Sequence, residues 1–319
     1  MNHRVGIIDM GTNTFHLLIT DIVNNKTNVL VNEKVSVGLG KGGINKGFIT
    51  DEAMDRALNV LINFRKVLNE YETDSVIATG TSAVRNAANK ETFIKRIVEE
   101  AQIQVEVIDG AREAELIFRG VKEAVSMKED PSLVMDIGGG SVEFIIGNEK
   151  GILWKQSFEI GGQRLIERFH THDPIYETEI IGMNNYLDVV LEPLLKAIQI
   201  WNPKLLVGSS GTFDTLAEMN IDFHRQSVNI HNETSYFLPD NDFVRIKDQM
   251  VRMTRAERLQ ISGMIELRVD MVVVAVCLVQ YILSLMQTKD IMVSTYSLKE
   301  GVLYTMLDGE KVGKSTKYF

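Results

Sequence analysis

Residues 133–146 read LVMDIGGGSVEFII, and residues 5–19 read VGIIDMGTNTFHLLI. Aligning Asp9 with Asp136 puts an apolar run, an aspartate, an apolar residue and a glycine in the same order in both. A polar or glycine-rich turn follows, then Thr14 or Ser141, then apolar residues again. Apolar runs on either side of a glycine turn read as two strands of a hairpin. Each copy has a second shared element downstream. SVIA at 75–78 leads into Gly80-Thr81-Ser82, and LLV at 205–207 leads into Gly208-Ser209-Ser210-Gly211-Thr212. Helical patterns follow both turns. Thr81 lies 72 residues after Asp9, and Ser210 lies 74 after Asp136. Two matched elements at matched spacing indicate a duplicated unit.

Between these landmarks the periodicity predicts helices over 51–71 and 89–101, a strand over 104–108 and a helix from about Ala111. The second half predicts a helix over 176–200, a capping box at Thr254-Arg255-Ala256-Glu257, a buried helix over 269–286, a short strand over 291–294 and a last helix over 298–307. Strands interleaved with helices indicate an α/β protein. Residues 220–242 are polar and irregular and read as a surface excursion. The pattern breaks at 126–131, which places one lobe over 1–126 and the other over 127–296, with a C-terminal helical segment at about 297–319 packing back on the first.

The 319 residues are 45% hydrophobic and 24% charged, as in a globular protein, and the length suggests two domains. Cys277 is the single cysteine. It allows no intrachain disulfide, and its apolar surroundings point to a buried, inert thiol. The apolar stretch 271–286 falls short of the roughly 20 residues that span a bilayer. No signal-like segment precedes the first strand pattern, so a cytoplasmic protein without a membrane anchor is expected. The net charge of −9 disfavours nucleic-acid binding and non-specific capture of polyanions. A polyanionic substrate would need local donors.

The turns supply such donors. Glycines admit close approach of an anion to backbone N–H groups, and successive N–H groups form an anion-binding nest. Gly138-Gly139-Gly140-Ser141 suits this role directly, and Gly11-Thr12-Asn13 adds hydroxyl and amide donors. Thr81-Ser82 and Ser210-Gly211-Thr212 each open a helix, whose N-terminus attracts phosphate. One such turn is more often only a tight turn; four, paired by duplication, favour phosphate binding. Asp9 and Asp136 end strands beside glycine turns, and Glu143 shares a strand face with Ser141. Their hard oxygens next to phosphates suit Mg²⁺, although either aspartate alone would serve equally to cap its own turn. Arg85 sits at a helix start, where the dipole does not favour a cation; a phosphate partner and a solvated surface position are equally open. Arg164 has the same standing on weaker grounds. Glu113 lies in a first helical turn, where position alone indicates an acidic residue favoured by the dipole rather than a general base. His16 reads as a core histidine.

The segments IDMGTNTFHLLI, ATGTSAVRNAANKETFI, IDGAREAELIFRGV, MDIGGGSVEFIIG and VGSSGTFDTLAEM, in this order, resemble the exopolyphosphatase/guanosine pentaphosphate phosphohydrolase (Ppx/GppA) family. LRVDMVVVAV and SLKEGVLY match more weakly. The resemblance implies two duplicated ribonuclease-H-like domains of the actin-like ATPase superfamily, phosphates in an interdomain cleft, and a divalent metal, usually Mg²⁺. The family's Gly-x-Glu-Glu-Ala motif falls on Gly110-Ala111-Arg112-Glu113-Ala114. Its catalytic Glu maps to Glu113, and Arg112 replaces the first Glu. The family's phosphate-contacting Arg maps to Arg85, and its Asp and Glu around the glycine turn map to Asp136 and Glu143. Relatives usually read Gly-Leu-Arg-Glu-Gly where this chain has Ser297-Leu298-Lys299-Glu300-Gly301. The chain resembles the short two-domain form, and the family adds an expectation of homodimers without placing an interface.

The expected activity is therefore hydrolysis of the terminal phosphate of polyphosphate by a water that Glu113 activates, with Mg²⁺ near Asp9, Asp136 and Glu143. Guanosine pentaphosphate is the alternative substrate. A small-molecule kinase of the same superfamily and a non-enzymatic phosphate-ligand sensor are the rivals of another class.

Overall fold

The computed structural model describes residues 3–262, 264, 266, 268–310 and 316–317. The chain forms two compact units, Met1–Leu116 with Leu298–Phe319, and Ile117–Ser297.

The first unit opens with β1 (His3–Met10), β2 (Thr14–Val23) and β3 (Lys26–Ser36), an antiparallel meander. Asn24 and Asn25, both with positive φ (51° and 59°), make the two-residue β2–β3 turn. This left-handed pair matches the twist of the flanking strands. α1 (Asp51–Glu70) follows, its start capped by the Thr50 hydroxyl, which accepts from Ala53 N at 3.2 Å. Its buried residues Ala53, Met54, Ala57, Leu58, Leu61, Phe64 and Leu68 recur at three and four, the stripe of an amphipathic helix. The larger ones contribute about 2 kcal/mol each. β4 (Ser75–Gly80) runs parallel to β1 and is buried at every position. Then come α2 (Ser82–Arg85), α3 (Lys90–Arg96), β5 (Val105–Val107) parallel to β4, and α4 (Gly110–Ala124).

The second unit repeats the plan. β6 (Ser132–Ile137), β7 (Val142–Asn148) and β8 (Gly151–Phe158) form the meander. α5 (Gly162–Phe169), α6 (Glu177–Val190) and α7 (Glu192–Trp201) lead to β9 (Leu205–Ser209), parallel to β6. α8 (Gly211–Phe223), β10 (Ser235–Leu238), α9 (Asp240–Arg252), α10 (Arg255–Arg258) and α11 (Met271–Leu285) precede β11 (Ile291–Ser294), parallel to β9. Among the described residues the sheet orders are β3-β2-β1-β4-β5 and β8-β7-β6-β9-β11, the second with β10 added at its edge. The two share one topology, the duplicated ribonuclease-H-like fold expected of the sequence.

The chain then returns to the first unit through α12 (Leu298–Leu307) and β12 (Thr316–Lys317), which pairs antiparallel with β4. Gly301 explains the glycine of the last motif: a methyl there would overlap the carbonyl of Leu116 on α4. The rest of the anticipated C-terminal segment, 311–315 and 318–319, lies outside the described residues, as does Leu267 of the LRVDMVVVAV match.

The structure redraws several expected bounds. The units divide within α4, ten residues before the expected 126, because Phe118 already packs on Gly147 of β7. The helix expected over 176–200 is two helices that meet at Leu191, with Pro193 in the first turn of the second. The excursion at 220–242 contains β10, which buries Leu238 and pairs with β11. The Thr254 capping box forms: Thr254 N donates to Glu257 Oε2 at 2.7 Å, and Glu257 N donates to Thr254 Oγ1 at 3.3 Å. α11 is buried almost throughout, and no described helix is long and apolar enough to cross a membrane. Burial pushes the Cys277 thiol up to about 12, so it is not a nucleophile at neutral pH.

Candidate active site

The two hairpin turns close identically. Gly11 N donates to Thr14 O, and Gly138 N donates to Ser141 O, each at 3.1 Å. A methyl at either glycine would sit 2.9 Å or 3.0 Å from that carbonyl oxygen. In both units the segment after the third strand then ties up the turn's carbonyls. Val37 N and Gly38 N donate to Asn13 O at 2.8 and 2.9 Å, and Gly40 N to Thr12 O at 3.0 Å. Gly161 N donates to Gly140 O (3.2 Å), Gly162 N to Gly138 O (2.9 Å) and Gln163 N to Gly139 O (2.9 Å). A glycine stands at the point of close approach in each segment. A methyl on Gly161 would overlap the backbone of Gly139 and Gly140, and one on Gly40 would meet Thr12 Cγ2 at 2.5 Å. Arg164 braces the second turn from the side, its Nε donating to Gly140 O at 2.8 Å while Nη2 pairs with Glu159 at 2.9 Å. Thr12, Asn13 and Ser141 are buried.

Strand register places the carboxylates. Asp136 stands directly opposite Glu143, Glu143 opposite Ser157, and Asp136 beside Ser209, which is beside Ser294. Residues in register share a sheet face, so one row of side chains crosses β8, β7, β6, β9 and β11. The Ser209 hydroxyl donates to Asp136 Oδ2 at 2.5 Å, and the Ser157 hydroxyl to Glu143 Oε1 at 2.6 Å. Both carboxylates are buried. The matching row of the first unit is Lys34, His16, Asp9, Thr79 and Glu106. His16 stands where the second unit has Glu143, with its Nε2 3.2 Å from Thr14 Oγ1.

The second pair of turns also corresponds. Thr81 caps α2 and Ser210 caps α8, as the spacing suggested. Register, however, matches Thr79 with Ser209, so the first turn holds one more residue. Thr81 and Ser82 are buried; the Thr81 hydroxyl reaches Met10 O at 3.4 Å, and Ser82 Oγ accepts from Asn86 Nδ2 at 3.3 Å. Ser210 adopts φ 76°, a left-handed conformation that a non-glycine residue holds at some cost, and Gly211-Thr212 begin α8 behind it.

Glu113 occupies the first turn of α4, whose start is fixed by Asp109: its Oδ1 accepts from Arg112 N at 2.8 Å, and its carbonyl from Glu113 N at 2.9 Å. Arg85 Nη1 donates to Glu113 Oε2 at 2.7 Å and to Ile108 O at 3.2 Å. Arg112 turns away and pairs with Glu115 at 3.0 Å. The replaced family Glu is thus a half-exposed pair on the helix flank.

Among the anticipated site residues, the first unit therefore holds Asp9, Gly11, Thr12, Asn13, Thr81, Ser82, Arg85 and Glu113. The second holds Asp136, Gly138–Ser141, Glu143, Ser210, Gly211 and Thr212. Arg85 meets Glu113, and Asp136 faces Glu143. Sequence reasoning missed Ser157, Ser209, Gly40 and Gly161. The two glycines had a signal, since a glycine-rich stretch follows the third strand in each copy (GLGKGG at 38–43, IGGQ at 160–163). Among the described residues no group of three or more His, Cys, Asp or Glu is gathered as a metal cluster. The opposed Asp136 and Glu143 fit Mg²⁺ all the same, because that ion takes one or two carboxylates and fills its shell with water and phosphate oxygens.

The model of the Ppx/GppA phosphatase family matches residues 18–310. The chain is 30% identical to exopolyphosphatase 2 of Mycobacterium tuberculosis over 281 residues, covering 84% of this chain and 86% of that one. It is 32% identical over 253 residues to the bifunctional 3-dehydroquinate synthase/phosphatase of Fusobacterium nucleatum, a match that covers 76% of this chain but spans only 38% of that relative. The crystal structure of an exopolyphosphatase from Cytophaga hutchinsonii superposes with a TM-score of 0.96 at 66% identity, over 98% of this chain and all of the other. The chain belongs to the Ppx/GppA phosphatase family.

Proposed function

We propose that this protein is an exopolyphosphatase that removes the terminal phosphate of inorganic polyphosphate. Family membership makes it a hydrolase of phosphoric anhydrides; the names of its relatives support the choice of substrate. The observation that carries the reading is Glu113, buried at the start of α4 and held by Arg85 at 2.7 Å. The guanidinium contact fixes the carboxylate's orientation, so that it can order a water for attack.

In this reading Glu113 aligns a water with the terminal phosphorus and takes its proton. The water oxygen forms the new P–O bond, the bridging P–O bond breaks, and orthophosphate leaves a chain one residue shorter. No covalent enzyme intermediate is needed, because phosphoryl transfer depends mainly on positioning and electrostatics. The turn at 138–141 holds phosphoryl oxygens through the N–H groups of Gly139, Gly140 and Ser141, Gly138 N being engaged by Ser141 O; Thr12 and Asn13 are the corresponding residues of the first unit. The openings of α2 and α8 add donors of the same kind. Asp136 and Glu143 would hold Mg²⁺, which supplies charge neutralisation at the phosphates.

The test is phosphate release by the purified protein with Mg²⁺ from short polyphosphate, long polyphosphate, guanosine pentaphosphate and ATP, with Glu113→Gln as control. Release from polyphosphate that disappears in the variant is the expected result. Preferential release from guanosine pentaphosphate would reassign the substrate, and release from none would overturn the reading.

A further inference from the structure

The two register rows are equivalent in position and differ in chemistry around a shared aspartate and hydroxyl. The second unit presents hydroxyl, carboxylate, carboxylate, hydroxyl and hydroxyl across Ser157, Glu143, Asp136, Ser209 and Ser294. The first presents ammonium, imidazole, carboxylate, hydroxyl and carboxylate across Lys34, His16, Asp9, Thr79 and Glu106. In the second row each inner carboxylate is flanked on its outer side by a serine that donates to it, at 2.5 and 2.6 Å. Thr79, the counterpart of Ser209, directs its hydroxyl instead to its neighbour strand's backbone, at Ile8 O (3.4 Å).

We propose that Ser157 and Ser209 are positioning residues: they lock Glu143 and Asp136 in the orientation that holds a divalent cation, and that cation subsite is the property of the second row alone, without Asp9. The proposal rests on the metal-assisted reading above. A hydroxyl donating to an ionised carboxylate makes a short, strong bond. It stops rotation of the carboxylate and leaves its charge intact for the ion. Groups of this kind behind metal-binding carboxylates govern affinity nearly as strongly as the ligands themselves. In the first row, Asp9 has an imidazole where the second row has its partner carboxylate, and Mg²⁺ prefers oxygen to nitrogen donors. An ammonium-bearing lysine further along that row opposes a second positive charge.

The experiment is a titration of the full chain with Mn²⁺, as a paramagnetic stand-in for Mg²⁺, with free ion read by electron paramagnetic resonance and no substrate present. Folding of each variant is checked by circular dichroism and thermal unfolding. Wild type is expected to bind Mn²⁺, and Asp136→Asn and Glu143→Gln to lose it. Ser209→Ala and Ser157→Ala should each weaken it by roughly 10-fold or more, with Ser209→Thr and Ser157→Thr restoring affinity, and Asp9→Asn should bind as wild type. If the alanine variants bind as wild type while Asp136→Asn does not, the positioning role is wrong and the metal reading stands. If Asp9→Asn loses the ion, the restriction to the second row is wrong. If wild type binds no Mn²⁺, or both carboxylate variants bind normally, the metal reading fails and this proposal with it. Ser157 is only partly buried, so its variants remain informative should those at the fully buried Ser209 not fold.

Discussion

Arg85 Nη1 lies 2.7 Å from Glu113 Oε2, and both side chains are largely covered, 15% and 8% exposed. The contact holds the carboxylate in one orientation at the head of α4. Replacing Glu113 with Gln keeps an acceptor for Arg85 and removes the proton-accepting charge. Turnover on polyphosphate should fall by about 10²–10⁴, with thermal unfolding little changed. Steady-state phosphate release and a melting curve on the same preparation check this; a variant that retains most of its turnover would remove Glu113 from the mechanism.

The same contact should be visible as an energetic coupling. Taking away one member of a covered ion pair leaves the other's charge less compensated, at a cost of up to about 3 kcal/mol. Arg85→Met and Glu113→Leu should each destabilise the fold by an amount of that order, and the double variant by clearly less than their sum. The coupling expected of touching residues is roughly 0.5–3 kcal/mol. Urea unfolding of the four proteins closes the cycle. Additive losses would mean that the pair is a coincidence of packing.

The parts of this site that were legible in the sequence are those written in contiguous residues. The repeated Asp-x-Gly turn marked both hairpins and, through matched spacing, the openings of α2 and α8. Glu113 was not assignable by position, because an acidic residue in a first helical turn has an ordinary explanation; only the family motif singled it out. Ser157 was out of reach. Its pairing with Glu143 depends on the β7–β8 register, which shifts by a bulge at Ile146/Gly147, and no local pattern encodes that shift. β3 escaped because Lys26–Ser36 is an exposed edge strand rich in polar residues, with little apolar alternation to read. The break between α6 and α7 was signalled by Pro193, but proline is compatible with a first helical turn and did not by itself say where the preceding helix ended.

Glu179 links the loop after α5 to the start of α6. Burial pushes its carboxyl upward, but hydrogen bonds from the Thr171 hydroxyl (2.6 Å), Tyr176 N and Thr171 N (both 2.8 Å) and His172 outweigh it, and the group is held at about 2. The unfolded chain has an ordinary value near 4.3. A depressed carboxyl contributes stability that is complete above the unfolded value and is lost as pH falls toward the folded one. The advantage of wild type over Glu179→Gln should therefore be constant near neutrality and shrink between about pH 5 and pH 2. Urea unfolding of both proteins at pH 6 and pH 3.5 measures it; an advantage unchanged at the lower pH would contradict the assignment.

Gly40 and Gly161 occupy equivalent places after the third strand of each unit, yet the two should not respond alike to a methyl group. At Gly161 the added carbon overlaps the backbone of Gly139 and Gly140. That backbone is fastened by Gly161, Gly162 and Gln163 N–H groups and by Arg164, so the turn can yield only by moving as a whole. At Gly40 the carbon meets Thr12 Cγ2 at 2.5 Å and Ile44 Cδ1 at 3.0 Å, side-chain rather than backbone atoms, so the clash can be relieved by local side-chain shifts without moving a fastened turn as a whole. If the turn at 138–141 holds the phosphoryl group, a displacement of the order of 1 Å there costs about 100-fold in rate. Gly161→Ala should accordingly lose about that much in kcat/KM on polyphosphate while Gly40→Ala stays within roughly tenfold of wild type. Kinetics on both variants, with unfolding curves to separate activity from stability, distinguish the cases. Equal losses, or a larger loss at Gly40, would contradict the assignment of the phosphoryl group to the turn at 138–141.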